Sequence, residues 1–314
     1  MPRVAIPLPH SSDREYATRA IPQYEEAITQ AGGEPIRIPL DQPQEEIKQL
    51  IATCDAILLP GSKADVDPAK FHAPPSPETA PADVPRNTVD ELLLEDAYRH
   101  RKPILGICYG LQSLNVFRSG SLIQHIPDFL PEELRARVDH AAGKKLAIAH
   151  DVEIETNSKL ADILRRNTDS VYRDTTSTHG ATDASSVPRS EASARSSRTL
   201  PGGIKEKQHH REGHGLSRAA NSSEGNWALA PEGGQLLLPV NSSHHQSAHA
   251  IGQGLRIAAR CSTDGIIEAL EGTAPDHFVL AVQWHPERSV EEDESSRSIF
   301  RALIEAARVR RKKL

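Results

Sequence analysis

The chain has 314 residues and a net charge of −6, with 43 acidic side chains against 37 lysines and arginines. That length supports a sizeable core in one large domain or two small ones, and the mild acidity gives no reason to expect nucleic-acid binding. Three cysteines (Cys54, Cys108, Cys261) without metal-ligand spacing argue against a disulfide framework and fit a reducing cytoplasm; no run is apolar and long enough to cross a membrane, and no secretion signal is visible at the N-terminus.

In chain order, residues 4–8 read as a first strand, although prolines are unusual in a central strand. Ser12 or Asp13 is a capping residue for a helix running to about residue 31, where Gly32 and Gly33 stop it. Strand 36–40, a helix over about 44–53 and strand 56–59 follow, the last broken by Pro60 and Gly61. A helix over about 89–100 leads to an apolar strand that ends at Cys108, and another helix starts at Tyr109. Strands alternating with helices predict a mainly parallel sheet covered on both faces. The second half is richer in strands, at 152–155, 236–240, 255–260, 265–269 and 279–284, and closes with a helix over 299–308. Between about 167 and 234 the chain is rich in Ser, Arg, Gly, Thr and His, and its apolar residues are sparse and unperiodic. Such a segment buries too little surface to offset its ordering entropy, so a disordered insertion into one domain spanning 1–314 is predicted. The basic stretch 308–314 suits the C-terminal end of a helix.

Two segments carry chemistry. In Gly106-Ile-Cys-Tyr-Gly-Leu-Gln112 a thiol sits at a strand-to-helix elbow, facing the first unpaired N–H groups of the helix. Those groups and the helix dipole favour negative charge, so Cys108 is expected to ionise more easily than a free thiol. In Phe278-Val-Leu-Ala-Val-Gln-Trp-His-Pro-Glu287 an apolar strand ends in His285 and Glu287, two residues apart and therefore able to face one site. Cys108, His285 and Glu287 thus form a candidate nucleophile, base and orienting carboxylate. Gly61, Cys108 and His285 all fall at the carboxyl ends of predicted strands, where ligands of open α/β sheets bind. A metal reading of His245 and His249, at helical i, i+4 spacing, lacks a third ligand nearby. His209, His210 and His214 lie in the polar insertion and read as a solvated tract. No metal or organic cofactor is expected.

The elbow and the Gln283-Trp-His-Pro-Glu287 end resemble the class I glutamine amidotransferase superfamily, and within it the γ-glutamyl-γ-aminobutyrate hydrolase (peptidase C26) family. Further segments carry the narrower resemblance: Leu59-Pro-Gly-Ser-Lys-Ala-Asp-Val-Asp-Pro68, Leu114-Asn-Val with Gly120-Ser-Leu-Ile-Gln-His-Ile126, His150-Asp-Val, Val240-Asn-Ser-Ser-His-His-Gln246 and Asp264-Gly-Ile-Ile-Glu-Ala-Leu270. The resemblance implies a three-layer α/β sandwich, flavodoxin-like in outline, and a Cys108-His285-Glu287 triad. It implies an oxyanion hole of backbone N–H groups from Gly61 or Ser62 and from Tyr109. Gln112 is expected to bind the α-amino and α-carboxylate end of a γ-glutamyl group, with Asn241, Ser242 and His244 bordering that pocket; on position alone Gln112 reads as an exposed helix residue.

The chain departs from the family pattern at Ser62 (commonly Gly), at Tyr109 (usually Arg), at Arg86-Asn87 (commonly Arg-Asp) and at Ser119-Gly120 (commonly two glycines). Tyr109 is a residue seen in amidotransferases of nucleotide synthesis. The expected activity is hydrolysis of γ-glutamyl amides, with a small-molecule substrate and no nucleic acid or membrane partner, and a homodimer is compatible with it. A second reading is a glutaminase subunit passing ammonia to a synthase partner, and a third is a non-catalytic binding protein on the same fold.

Overall fold

A computed structural model describes residues 1–144, 146–166 and 236–313. The predicted insertion lies outside them. Nine strands form one sheet: β1 (Arg3–Pro7), β2 (Glu34–Ile38), β3 (Ala56–Leu59), β4 (Ile104–Ile107), β6 (His150–Ile154), β7 (Leu236–Val240), β9 (Leu255–Cys261), β10 (Ile267–Gly272) and β11 (Val279–Val282). Their order is β2-β1-β3-β4-β11-β10-β9-β6-β7. The run from β2 to β11 is parallel, and the rest is antiparallel. The short strands β5 (Leu122–Ile123) and β8 (Ser247–Ala248) pair separately. The prolines now have a reason: Pro35 is on β2, the sheet edge, and Pro7 is the last residue of β1.

Alternation along the parallel strands builds two cores. Val4, Ile6, Leu58, Leu105, Ile107, Leu280 and Val282 face α1 (Arg14–Gln30) and the C-terminal helix α5 (Glu294–Arg311). Ala5, Ile57, Leu59, Ile104, Val279 and Ala281 face α2 (Gln44–Ala52), α3 (Val84–His100) and α4 (Tyr109–Phe117). Successive side chains of a strand point to opposite faces, so this pattern is a three-layer sandwich.

Helix α1 starts where predicted, with the Asp13 carboxylate accepting the Tyr16 N–H at 2.9 Å. Helix α3 starts five residues earlier than predicted. Asp83 caps the Arg86 N–H at 3.1 Å and Pro85 occupies the first turn, which fixes the start at Val84. Its first turn also carries an unexpected buried cation. Arg86 is fully buried and pairs with Asp90 at 2.7 Å, and its guanidinium donates to the Pro60 carbonyl at 2.7 Å and the Pro9 carbonyl at 3.1 Å. It thereby ties the ends of β1 and β3 to α3. Replacing Arg86 with Ala strands the Asp90 carboxylate without its counter-ion. A loss of about 3–5 kcal/mol in the urea-unfolding free energy is expected, and a loss below about 1 kcal/mol would refute this role.

Candidate active site

Register brings three separated loops together. In the parallel ladder Leu59 pairs with Gly106, and Val282 pairs with Ile107. The chain leaving β3 (Pro60-Gly61), β4 (Cys108) and β11 (Gln283 to His285) therefore emerges side by side, as predicted for a site at strand carboxyl ends. The Cys108 N–H donates to the Val282 carbonyl at 2.8 Å, stitching two of these exits directly.

Cys108 lies between β4 and α4 with φ 52° and ψ −105°, a conformation that costs a non-glycine residue of order 1–3 kcal/mol. The elbow is this tight because α4 is packed hard onto the sheet. A Cβ on Gly110 would meet the Leu59 carbonyl oxygen at 2.1 Å, and one on Gly106 would meet the Gly110 carbonyl oxygen at 2.8 Å. The two glycines around Cys108 are thus demanded by close approach of backbone to backbone.

His285 and Glu287 are both buried, and the His285 Nδ1 lies 2.7 Å from the Glu287 Oε1. Burial pulls the His285 pKa down, but the Glu287 carboxylate and the Cys108 thiol outweigh it and raise it to about 9. Burial also opposes the charge on Glu287, and the imidazolium overcomes it, holding the carboxyl below its ordinary value. Asn241 fixes the base from outside: its Nδ2 donates to the His285 carbonyl and its Oδ1 accepts the His285 N–H, each at 2.9 Å. A Cβ on Gly61 would stand 3.1 Å from the imidazole Cε1 and 3.7 Å from the Cys108 Cβ, so the loop after β3 closes over both groups.

The backbone donors divide. The Gly61 N–H donates to the Tyr24 hydroxyl at 3.1 Å. The N–H groups of Ser62 and Tyr109 have no acceptor among the described residues. Tyr16 lies close enough to Cys108 and Glu287 to feel both; burial first, then these groups, push its hydroxyl pKa to about 12. Neither tyrosine was legible as part of the site, because α1 reads as an ordinary amphipathic helix.

The four residues expected at the substrate are placed differently from one another. Gln112 is buried rather than exposed, and its Nε2 donates to the Gln246 carbonyl at 3.2 Å and the Gln283 Oε1 at 3.4 Å. Asn241 spends both side-chain polar atoms on the His285 backbone. Ser242 and His244 turn away into the protein, the Ser242 Oγ donating to Glu268 at 3.1 Å and the His244 ring standing between the Gln246 carbonyl and Glu268. Two of the departures from the family pattern touch: the Tyr109 hydroxyl donates to the Asn87 Oδ1, and Arg86 stacks on the Tyr109 ring with its guanidinium carbon 4.9 Å from the centroid.

The fold recurs in a solved structure. A Thermoplasma acidophilum protein described as one of the subunits of a GMP synthase has the same fold, with a TM-score of 0.51 at 14% identity, over 100% of this chain and 97% of that one. The peptidase C26 profile matches residues 6–216 and 203–287, and the chain belongs to the peptidase C26 family. A glutamine amidotransferase-like protein of Rickettsia prowazekii is 29% identical over 93% of this chain and 90% of its own length. The γ-glutamyl-γ-aminobutyrate hydrolase PuuD of Escherichia coli K12 is 28% identical over 97% of this chain and 93% of its own. The chain is thus a glutamine amidotransferase-like hydrolase of the C26 type. Among the described residues no helix is long and apolar enough to cross a membrane.

Proposed function

We propose that this protein hydrolyses the γ-amide bond of γ-glutamyl compounds resembling γ-glutamyl-γ-aminobutyrate. The observation that carries the reading is the strained Cys108 elbow beside a buried imidazole that Glu287 holds at 2.7 Å. The Cys108 sulfur attacks the γ-carbonyl carbon as a thiolate, its proton held on the His285 imidazolium. The oxygen that gains charge lies against the N–H groups of Tyr109 and Ser62, which have no other acceptor among the described residues, while the Gly61 donor is held by Tyr24. His285 gives its proton to the leaving amine, the C–N bond breaks, and a γ-glutamyl thioester remains on Cys108. Water then gives a proton to His285 and its hydroxide to the thioester carbon, releasing glutamate and the thiol. Gln112 orients the glutamyl end, and Asn241 positions His285. Nothing in these steps calls for a cofactor.

A second reading rests on Tyr109 standing after Cys108, as in amidotransferases of nucleotide synthesis: a glutaminase that delivers ammonia to a synthase, with the same covalent steps. Incubating the purified protein with γ-glutamyl-γ-aminobutyrate, other γ-glutamyl amines and glutamine, and measuring glutamate, separates the two. Turnover of the γ-glutamyl amines by the isolated chain is expected. Turnover of glutamine alone favours the second reading, and a folded protein that releases no glutamate from any of them refutes the first.

A further inference from the structure

At the far corner of the antiparallel half, four separated segments converge: the loop holding His140, the first residue of β6 (His150), the turn after β7 (His244) and β10 (Glu268). All four side chains are buried. One carboxylate oxygen, the Glu268 Oε1, stands 3.1 Å from the His140 Nδ1, 3.2 Å from the His150 Nε2 and 3.1 Å from the His244 Nε2. All four inward atoms lie within 4.8 Å of one another.

Hydrogen bonding alone serves this arrangement badly. The His244 Nδ1 lies 2.8 Å from the Gln246 carbonyl, which only accepts, so that nitrogen carries the hydrogen. With that hydrogen on Nδ1, a neutral His244 ring presents its Nε2 lone pair to the Glu268 Oε1 at 3.1 Å, acceptor against acceptor. The His140 Nε2 likewise faces the Asp264 carboxylate at 2.8 Å, which turns its other nitrogen inward. The His150 Nε2 is buried and aimed at the same oxygen, yet makes no hydrogen bond. Three ring nitrogens and a carboxylate oxygen converging on one point, with two of the rings braced on their outer nitrogens by a carboxylate and a carbonyl, are the arrangement of a metal-binding shell and its supports.

We propose that His140, His150, His244 and Glu268 bind one divalent transition-metal ion, zinc by preference. Tetrahedral Zn–N and Zn–O bonds of about 2.0–2.1 Å place ligand atoms about 3.3 Å apart, close to the three nitrogen–oxygen separations here. Three neutral imidazoles suit zinc over magnesium or calcium, which select oxygen ligands. Charge also balances: the ion and Glu268 leave one positive charge, which the Asp264 carboxylate behind His140 offsets. The ion would clamp the loop after β7. That loop holds Asn241, which fixes the His285 backbone, and the Gln246 carbonyl, which receives Gln112. Its role is therefore structural support of the site, and the inference stands independently of which amide is cleaved.

The test uses the full chain, stripped with a chelator and then dialysed against limiting Zn(II) or Co(II). Expected are one ion per chain by elemental analysis, visible d–d bands of tetrahedral Co(II), and a thermal midpoint that falls on stripping and returns with zinc. Glu268→Gln and His150→Ala should lose at least tenfold in zinc affinity, and His249→Ala none. A folded, stripped wild type that takes up neither ion overturns the proposal. So does undiminished binding by the folded cluster variants, which would place the ion elsewhere, for example on His209, His210 or His214. Should the variants fail to fold, the Co(II) spectrum of the wild type decides, since an octahedral or absent signal excludes a three-histidine, one-carboxylate site.

Discussion

Replacing Cys108 with Ala should abolish glutamate release, lowering kcat by about 10⁴-fold or more while leaving the fold intact, because deleting the nucleophile of a covalent mechanism removes the whole route. The chain offers no substitute. Cys54 is buried and burial raises its thiol pKa, and Cys261 sits in the histidine cluster away from the elbow. A glutamine-like alkylating agent should accordingly add mass at Cys108 and at neither other cysteine. The backbone supplies an independent check. A side chain at φ 52° and ψ −105° is strained, and glycine relieves it. Cys108→Gly should therefore be as inactive as Cys108→Ala but more stable by about 1 kcal/mol in urea unfolding. Stability would rise while activity vanishes, the pattern of a residue kept for chemistry at a cost to folding. Activity within tenfold of wild type in either variant would remove Cys108 from its role.

The candidate triad was read from sequence, whereas the buried residues that surround it were not. Cys108 was singled out because it ends an apolar strand, and His285 and Glu287 because they follow another, where a polar side chain needs a reason. The parallel half of the sheet followed from the alternation of strands with helices. Arg86 escaped because a cation at the start of a helix normally reads as solvated. Only the folded chain shows its guanidinium bonded to carbonyls of Pro9 and Pro60, residues 77 and 26 positions away. The histidine cluster escaped for a related reason. Its ligands come from four segments with no common spacing, and a search for local metal patterns finds His245 and His249 instead. His245 pairs with Asp65 and His249 packs on Phe129. Asn241, Ser242 and His244 were singled out as polar residues after a strand, but sequence could not tell a side chain facing substrate from one bonded inward.

The Glu287→Gln variant separates orientation of the base from its charge. Gln keeps the shape and leaves His285 held by Asn241, but it removes the anion that stabilises the imidazolium. A fall of about 10⁴-fold in kcat is expected, by analogy with the loss of a carboxylate that sets the tautomer of a catalytic histidine. The pH profile carries more information than the rate. In the wild type His285 keeps its proton until the pH passes about 9, so the alkaline limb of kcat/KM should lie there, and it should move to lower pH in Glu287→Gln. Stability must follow the same linkage. The His285 pKa is raised from 6.5 to about 9, so its contribution is fully present below pH 6.5 and is lost as pH rises toward 9. The Glu287 carboxyl is held below 4.5, so its contribution is present above that pH and is lost as pH falls through the lowered value. Urea midpoints of the wild type should therefore decline between pH 6.5 and 9, and those of Glu287→Gln should decline less. If the two proteins lose stability in parallel across that window while activity differs, the carboxylate acts by position alone and the imidazolium is held by Cys108.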